Sequence, residues 1–212
     1  MDFEAARARL IKHLRQEISN DRVLAAMARI PREIFVPEEV RHLAYEDRPL
    51  SIGLGQTISQ PFIIALMTGA LQLSGKEKVL EVGTGSGYQA AILAELARQV
   101  VSTERLAPLA ETAQQVLNKL GYTNVKVHLA RKTLGWPEEA PYEAIIVTAG
   151  APAVPPELLE QLKVGGRLVI PVGSRYDQDL LKVTKRSKGN LTENLGACRF
   201  VPLIGEGAWE EE

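Results

Sequence analysis

Three alternate glycines constrain this chain more than any other feature. They lie in the sequence VLEVGTGSGY at positions 79–88, which joins a short apolar run to a helical pattern of apolar residues over 90–96. Glycine adopts positive φ and lets a ligand approach main-chain N–H groups that a Cβ would cover. The stretch therefore predicts a strand, a tight turn and a helix, with the turn shaped to hold a ligand against its backbone.

The glycine spacing and two nearby acids indicate what kind of ligand the turn holds. Dinucleotide sites usually have the spacing G-x-G-x-x-G, whereas Gly83, Gly85 and Gly87 give G-x-G-x-G. Glu81 lies two residues before the first glycine, and Glu104 ends the next strand-like run, where an acid can accept hydrogen bonds from ribose hydroxyls. These residues favour a nucleoside ligand other than a dinucleotide. A turn that holds NAD, and a turn that holds no ligand, stay open as alternatives.

The N-terminal third of the chain has helical patterns on both sides of an irregular segment. Two amphipathic helices are predicted over residues 3–17 and 21–30, and a third begins at Gln60 and Pro61 because proline suits the first turn. Prolines and glycines interrupt the pattern between residues 32 and 54. We therefore expect helices first, then a loop-rich segment, then the third helix.

Beyond the glycine turn, strand and helix patterns alternate. The predicted strands cover 100–103, 125–129, 144–148 and 167–171, and the predicted helices cover 108–120 and 156–162. A hairpin-like pair follows, with strands over 180–184 and 198–203 around a turn at 187–190. The sequence thus predicts an α/β fold with a doubly wound, mostly parallel sheet, N-terminal helices and antiparallel C-terminal strands.

Composition argues against several classes of function. The 212 residues are 45% hydrophobic and carry a net charge of −1, so they can form one buried core but offer no basic field for nucleic acid. No apolar run is long enough to span a membrane, and no basic, apolar leader precedes the first helix. Cys198 is the only cysteine and the three histidines lack ligand spacing, so no disulfide framework or metal site is predicted. We expect a cytoplasmic protein that binds neither nucleic acid nor membranes.

A second stretch identifies the family that the chain resembles. The glycine turn with Glu81 is similar to the first motif of class I S-adenosylmethionine-dependent methyltransferases. The sequence GQTISQP at positions 55–61 resembles the signature of the protein-L-isoaspartate O-methyltransferase family. Further similar stretches lie at 135–142, 161–173 and 199–203, in the order that the family has them. The resemblance therefore covers nearly the whole chain.

The resemblance implies a reaction, a cofactor and partners. A methyl group would pass from S-adenosylmethionine to the α-carboxylate that an isoaspartyl linkage leaves free, with S-adenosylhomocysteine as the second product. The methyl ester would then close to a succinimide without the enzyme, which begins the repair of damaged proteins. The partners would be isoaspartyl-containing proteins and peptides, and the enzyme is expected to act as a monomer.

The resemblance also implies which residues form the site. The cofactor would be bound by Glu81, Gly83, Thr84, Gly85, Ser86, Gly87 and Glu104. Ser59 would be the catalytic residue and would orient the substrate carboxylate, with Thr57 beside it on the substrate side. From the residues alone, Ser59 has a second interpretation, because serine just before Gln60 and Pro61 could be the N-cap of the third helix. Both interpretations predict a role for its hydroxyl.

One stretch departs from the family pattern. The family usually has Gly-Asp-Gly between Leu129 and Gly135, with an acid placed to accept the adenine amino group, but this chain has Ala130, Arg131 and Lys132. An arginine cannot accept that hydrogen bond, so main-chain groups, or Arg131 stacked on the ring, would have to hold adenine. The departure leaves two alternatives: a catalytically weak protein that binds damaged peptides, or another class I methyltransferase.

We expect residues 1–212 to form a single methyltransferase domain. Within it, residues 1–75 would be the helical segment that carries the substrate loop. Residues 76–212 would be the cofactor-binding α/β core with the C-terminal strands.

Overall fold

The computed structural model describes residues 2–210. Its N-terminal part contains three helices and a small hairpin. The helices are α1 (Phe3–Leu14), α2 (Asp21–Arg29) and α3 (Pro61–Ala70), and the antiparallel hairpin strands are β1 (Leu50–Gly53) and β2 (Gln56–Ile58). The segment predicted to be irregular holds β1 and two short 3-10 helices, Arg32–Phe35 and Glu38–Leu43. The three predicted helices are confirmed, with α1 ending earlier than expected.

The remainder builds a seven-stranded sheet. Its strands are β3 (Lys78–Val82), β4 (Gln99–Glu104), β5 (Val125–Leu129), β6 (Tyr142–Val147), β7 (Leu162–Gly173), β8 (Gln178–Lys185) and β9 (Asn190–Cys198). The helices that alternate with them are α4 (Tyr88–Leu96), α5 (Ala107–Lys119) and α6 (Pro156–Gln161), with a 3-10 turn at Pro137–Glu139.

The strand order is β5-β4-β3-β6-β7-β8-β9. Strands β3 to β7 pair in parallel, whereas β8 and β9 add antiparallel pairs at one edge. Parallel neighbours need crossover connections, and the helices between successive strands supply them. The predicted doubly wound, mostly parallel sheet with antiparallel C-terminal strands is therefore confirmed.

Both faces of the sheet are buried, which explains the continuous apolar runs of its central strands. In β3, Val79 belongs to the core beneath α1 to α4, whereas Leu80 and Val82 belong to a second core on the opposite face, and all three are at most 5% exposed. Fully burying a side chain of this size stabilises the fold by about 2 kcal/mol. The second core is closed by Leu158 of α6 and by Leu203 near the C-terminus.

The C-terminal strand lies elsewhere than predicted. We expected a strand over 198–203, but β9 occupies Asn190–Cys198 and pairs with β8 directly after the turn. Most of its side chains are exposed, and Glu193 interrupts the alternation of Leu191, Leu195 and Ala197 with polar residues, so its apolar pattern is weak. Residues 199–203 leave the edge instead and return to the middle of the molecule, where Pro202 forms an isolated bridge with Gly150.

No helix within residues 2–210 is long and apolar enough to cross a membrane. The same residues contain no group of three or more His, Cys, Asp or Glu side chains that could hold a metal ion.

Candidate active site

A cleft opens at the carboxyl ends of the central parallel strands. Strand β3 has β4 on one side and β6 on the other, and ligands of open α/β sheets bind in the crevice at such a position. The walls of the cleft come from β2 and the following residue, the glycine turn, the ends of β4 and β6, loop 130–135 and residues 201–204. Most of the predicted site residues line it together: Thr57, Ser59, Gly83, Thr84, Gly85, Ser86 and Glu104. Glu81 and Gly87 lie outside this lining.

The three glycines of the turn all have positive φ, but a Cβ added at each would meet a different neighbour. Gly83 (φ +100°) lies against the end of β6, where a Cβ would be 2.3 Å from the hydroxyl oxygen of Thr148. Gly87 (φ +88°) lies against α5, where a Cβ would be 3.2 Å from the Cβ of Ala113. Gly85 (φ +53°) has only Ile52 near its Cβ position, at 3.6 Å. Gly83 and Gly87 are thus required by close packing, and Gly85 by the left-handed backbone of the turn.

Glu81 is completely buried beneath the turn. Its Oε2 accepts a 2.5 Å hydrogen bond from the hydroxyl of Ser102, which lies within 2.6 Å of the hydroxyl of Thr84. Its other oxygen, Oε1, is buried and has no hydrogen-bond partner among residues 2–210. Burial, with a smaller contribution from the charge of Glu104, raises the pKa of Glu81 to about 8. The unpaired, buried carboxyl oxygen beneath the turn can take on negative charge when a cationic group approaches it.

Glu104 connects the turn to the end of β4. Its Oε2 accepts a hydrogen bond from the main-chain N–H of Gly85 at 2.8 Å, and its Oε1 accepts one from the N–H of Leu106 at 3.0 Å. These two bonds fix the carboxylate in the wall of the cleft. Each oxygen of an ionised carboxylate can accept a further bond, so Glu104 can still accept from the hydroxyls of a ligand.

Ser59 and Thr57 lie on the wall formed by β2. Ser59 is half-buried and Thr57 is exposed. The main-chain oxygen of Ser59 accepts a 2.9 Å hydrogen bond from the Nη2 of Arg32, so the position of its backbone is held from inside the protein. This fixed main chain carries the Ser59 side chain on the cleft wall.

The N-cap interpretation of Ser59 is wrong. The residue at the N-cap of α3 is Gln60, and its side chain makes no capping hydrogen bond. Asp47 supplies the cap instead, because its Oδ1 accepts from the N–H of Phe62 at 2.8 Å and its Oδ2 accepts from the side-chain amide of Gln60 at 3.1 Å. A carboxylate from the preceding loop therefore satisfies the helix end and leaves the hydroxyl of Ser59 available to a ligand.

Arg131 replaces the expected acid, and its charge is already paired. Its guanidinium forms an ion pair with Glu138 and stacks on the ring of Trp136 at 4.4 Å. Trp136 is also stacked with His128, with 4.1 Å between ring centroids. Arg131 lines the cleft, but its guanidinium is held by Trp136 and Glu138. The negative charge of Glu138 reduces the repulsion between Arg131 and a cationic ligand. Arg131 therefore has partners of its own, which lie just beyond loop 130–135.

Comparison with known proteins assigns the family. The model of the family described as protein-L-isoaspartate(D-aspartate) O-methyltransferase (PCMT) matches residues 5–208. The chain belongs to this family. A protein of Syntrophus aciditrophicus, named protein-L-isoaspartate O-methyltransferase, is 60% identical over 91% of this chain and 89% of its own length. A protein of the same name from Geobacter metallireducens is 53% identical over 100% of both chains.

Solved structures agree with this family assignment. A protein-L-isoaspartate O-methyltransferase structure superimposes with a TM-score of 0.87 at 31% identity, covering 95% of this chain and 67% of that one. A Plasmodium falciparum structure, described as a beta-aspartate methyltransferase in complex with S-adenosyl-L-homocysteine, gives 0.80 at 25% identity, covering 92% of this chain and 96% of that one. The predicted family, the fold and the enzyme class, an S-adenosylmethionine-dependent methyltransferase, are confirmed.

Several residues of the site were missed from sequence. Asp47 and Arg32 fix the Ser59 segment, Thr148 packs under Gly83, and residues 201–204 close one wall of the cleft. The similarity of residues 199–203 to the family could have pointed to the last of these. The others act through contacts between residues far apart in sequence, which no local pattern displays.

Proposed function

We propose that this chain methylates the free α-carboxylate of isoaspartyl residues in proteins and peptides, in the cleft at the carboxyl ends of β3, β4 and β6. One observation carries the proposal: Thr57 and Ser59 lie in the same cleft as Gly83–Ser86 and Glu104. The substrate side and the cofactor side thus meet in one space. S-adenosylmethionine supplies an activated methyl group on its sulfonium when bound, and S-adenosylhomocysteine is the second product.

The residues on the cofactor side fit this group. Glu104 would accept hydrogen bonds from ribose hydroxyls, and the turn over 83–86 would offer its backbone to the methionine part. Glu81, buried beneath the turn and protonated at neutral pH in the cofactor-free protein, would ionise as the cofactor's ammonium and sulfonium bind near it, and would then contribute negative charge toward them. For adenine, we favour main-chain groups of loop 130–135, because Arg131 is already held by Trp136 and Glu138.

Ser59 would donate its hydroxyl hydrogen to one oxygen of the substrate carboxylate and direct the other toward the methyl carbon, with Thr57 beside it. The carboxylate is ionised at neutral pH, so the site needs no strong base. Alignment of the two reactants can contribute several orders of magnitude in rate. A main chain fixed by hydrogen bonds on the inner side, as at Ser59, suits that task.

The methyl ester would leave the enzyme and close to a succinimide, whose hydrolysis returns part of the damaged chain to normal aspartate. We propose that residues 1–212 act as one domain, with residues 1–75 contributing the substrate loop and 76–212 the cofactor core. We further propose a monomer in the cytoplasm, where its single cysteine, Cys198, would stay reduced. The paired charge of Arg131 gives no support to a silent peptide-binding protein.

The experiment compares methyl transfer to an isoaspartyl peptide and to its aspartyl twin of identical sequence. Wild type should methylate only the isoaspartyl peptide. Ser59→Ala should lower kcat/KM by a factor of about 100. Calorimetry should show unchanged S-adenosylmethionine affinity, because the proposed cofactor contacts come from the glycine turn and Glu104 and not from Ser59.

The matched control is Ser51→Ala, because Ser51 lies on the same hairpin but outside the cleft lining. It should leave transfer unchanged. Equal methylation of both peptides would refute the substrate assignment. Near-wild-type transfer by folded Ser59→Ala would remove Ser59 from the mechanism, and absence of cofactor binding in wild type would favour the silent protein.

A further inference from the structure

Arg32 is a completely buried charged residue that does not line the cleft. It begins the 3-10 helix Arg32–Phe35, immediately after Pro31. Burial lowers the pKa of its guanidinium to about 10, which still leaves it protonated at neutral pH. A buried cation costs several kcal/mol unless hydrogen bonds in a fixed geometry replace the water it has lost.

The guanidinium of Arg32 contacts both the Ser59 segment and the residue that follows the glycine turn. Its Nε donates to the main-chain oxygen of Ala44 at 2.8 Å, and its Nη2 donates to the main-chain oxygen of Ser59 at 2.9 Å. Its central carbon lies 5.0 Å from the ring centroid of Tyr88. Tyr88 is the first residue of α4 and directly follows the glycine turn. Arg32 therefore contacts the segment that holds Ser59 and the residue next to the cofactor turn.

Stability alone does not account for a cation at this position. Among residues 2–210, no carboxylate lies within ion-pair distance of Arg32, although the more distant charge of Asp47 acts to raise its pKa. The direct contacts of the guanidinium are to neutral acceptors and an aromatic ring, and its Nη1 has no hydrogen-bond partner among these residues. A hydrocarbon side chain of similar volume would fill the same space without the cost of desolvation. What a hydrocarbon would not supply is a directional bond to the main chain of Ser59.

We propose that Arg32 is a positioning residue for methyl transfer, which holds the main chain of Ser59 at a fixed place relative to the glycine turn. The proposal rests on the proposed function, in which Ser59 orients the substrate carboxylate. A displacement of about 1 Å between reacting groups can cost about 100-fold in rate. Arg32 acts through Ser59 and does not itself contact the reactants.

Two variants separate this role from simple core packing. Arg32→Met keeps much of the volume but removes both directional bonds. Arg32→Lys keeps the charge and can keep one of the two bonds. Arg29→Met is the matched control, because Arg29 lies three residues earlier and its side chain forms a surface ion pair with Glu95 at 2.6 Å.

We expect folded Arg32→Met to lose about tenfold or more in kcat with an isoaspartyl peptide. Its KM for S-adenosylmethionine and its calorimetric affinity for S-adenosylhomocysteine should stay within about twofold of wild type, because the cofactor residues keep their own contacts. Arg32→Lys should fall between Arg32→Met and wild type, and Arg29→Met should match wild type. Unchanged kcat in folded Arg32→Met, or a parallel loss of cofactor affinity, would overturn the proposal.

Amide hydrogen exchange supplies a readout that does not depend on activity. Exchange at residues 56–60 should become faster in both Arg32 variants, whereas exchange in the central strand β3 should stay as in wild type. If Arg32→Met does not fold, Arg32→Lys gives the deciding comparison. Unchanged amide exchange at residues 56–60 together with unchanged kcat in Arg32→Lys would then overturn the proposal.

A double variant tests whether Arg32 acts through Ser59. Combined with Ser59→Ala, Arg32→Met should cost little further activity, because both changes remove one orienting unit. If the two losses multiplied, the residues would act independently and the proposal would be wrong. A wild-type enzyme that ignores isoaspartyl peptides would instead refute the proposed function and leave the exchange result as a separate test of Arg32.

Discussion

The buried carboxyl of Glu81 predicts an unusual dependence of stability on pH. Its side chain is fully buried, and burial raises its pKa from the ordinary 4.5 to about 8. In the unfolded chain the group ionises near its ordinary pKa, whereas in the folded protein it keeps its proton until about pH 8. Its favourable contribution is therefore complete below pH 4.5 and is lost as the pH rises toward 8.

The size of the effect follows from the same two values. The difference between 4.5 and about 8, at about 1.4 kcal/mol for each pH unit, gives a limit of about 5 kcal/mol. Between pH 5 and pH 8 the free energy of unfolding should fall by at most about 4 kcal/mol from this group alone. Glu81→Gln removes the titration and keeps an oxygen that can accept from Ser102.

The assay is urea unfolding of the cofactor-free protein from pH 3 to pH 8.5, for wild type and for Glu81→Gln. Subtracting the two curves cancels the other titrating groups, and the wild type should lose stability relative to the variant as the pH rises. Glu77→Gln is a control of opposite sign. Burial alone would raise the pKa of Glu77, but hydrogen bonds from Ser74 and from nearby main-chain N–H groups lower it, so wild type should lose its advantage over this variant at acid pH. A flat difference curve for Glu81→Gln would refute the argument.

Three further predictions follow from single contacts. Asp47→Ala should destabilise the protein by about 1–2 kcal/mol in urea unfolding, because the N-terminus of α3 loses its cap. Asp47→Asn keeps an acceptor and should cost less, so equal effects of the two variants would contradict the capping role. Gly83→Ala should be about 2 kcal/mol more destabilising than Gly85→Ala, since only the former brings a Cβ to 2.3 Å from the hydroxyl oxygen of Thr148; similar melting temperatures would disprove this. Arg131→Asp should tighten S-adenosylmethionine binding in calorimetry by at most about 1.5–3 kcal/mol, the value of one hydrogen bond to a charged group. Arg131→Ala should not tighten it, and no gain with Asp would mean that adenine is held without an acceptor at this position.

Local patterns were sufficient for the central sheet but not for its surroundings. The glycine turn after Val82 and the regular alternation of apolar strands with helices determine the parallel strands, because both faces of those strands are buried. The edge strand β9 was misplaced because an exposed strand with a weak apolar pattern gives little signal in the sequence. Strand β1 lay in the segment over 32–54, whose prolines and glycines indicated only turns, and its hairpin partner β2 lay just beyond that segment.

The residues of the site also fall into two groups, those that local sequence predicts and those that it does not. Residues that line the cleft from the turn and from strand ends, such as Gly85 and Glu104, follow from local sequence together with the family resemblance. The residues that fix Ser59 do not, because Asp47 contacts Phe62 from 15 positions away and Arg32 contacts Ser59 from 27 positions away. Sequence alone therefore favoured the nearest candidate cap, Ser59 itself, over the correct and more distant one.

The segment after β9 has a consequence for when the cleft becomes complete. Gly150 donates to the main-chain oxygen of Val201 and accepts from the N–H of Leu203, both at 2.8 Å, so this segment is joined to the end of β6 like a short extra strand. Residues 201–204 then form one wall of the cleft. Because a ribosome makes the chain from its N-terminus, this wall is the last part of the site to be synthesised. A chain that lacks residues 201–204 would hold the glycine turn and Ser59 but would leave one side of the cleft open, so the complete cleft would form only after this segment has been synthesised.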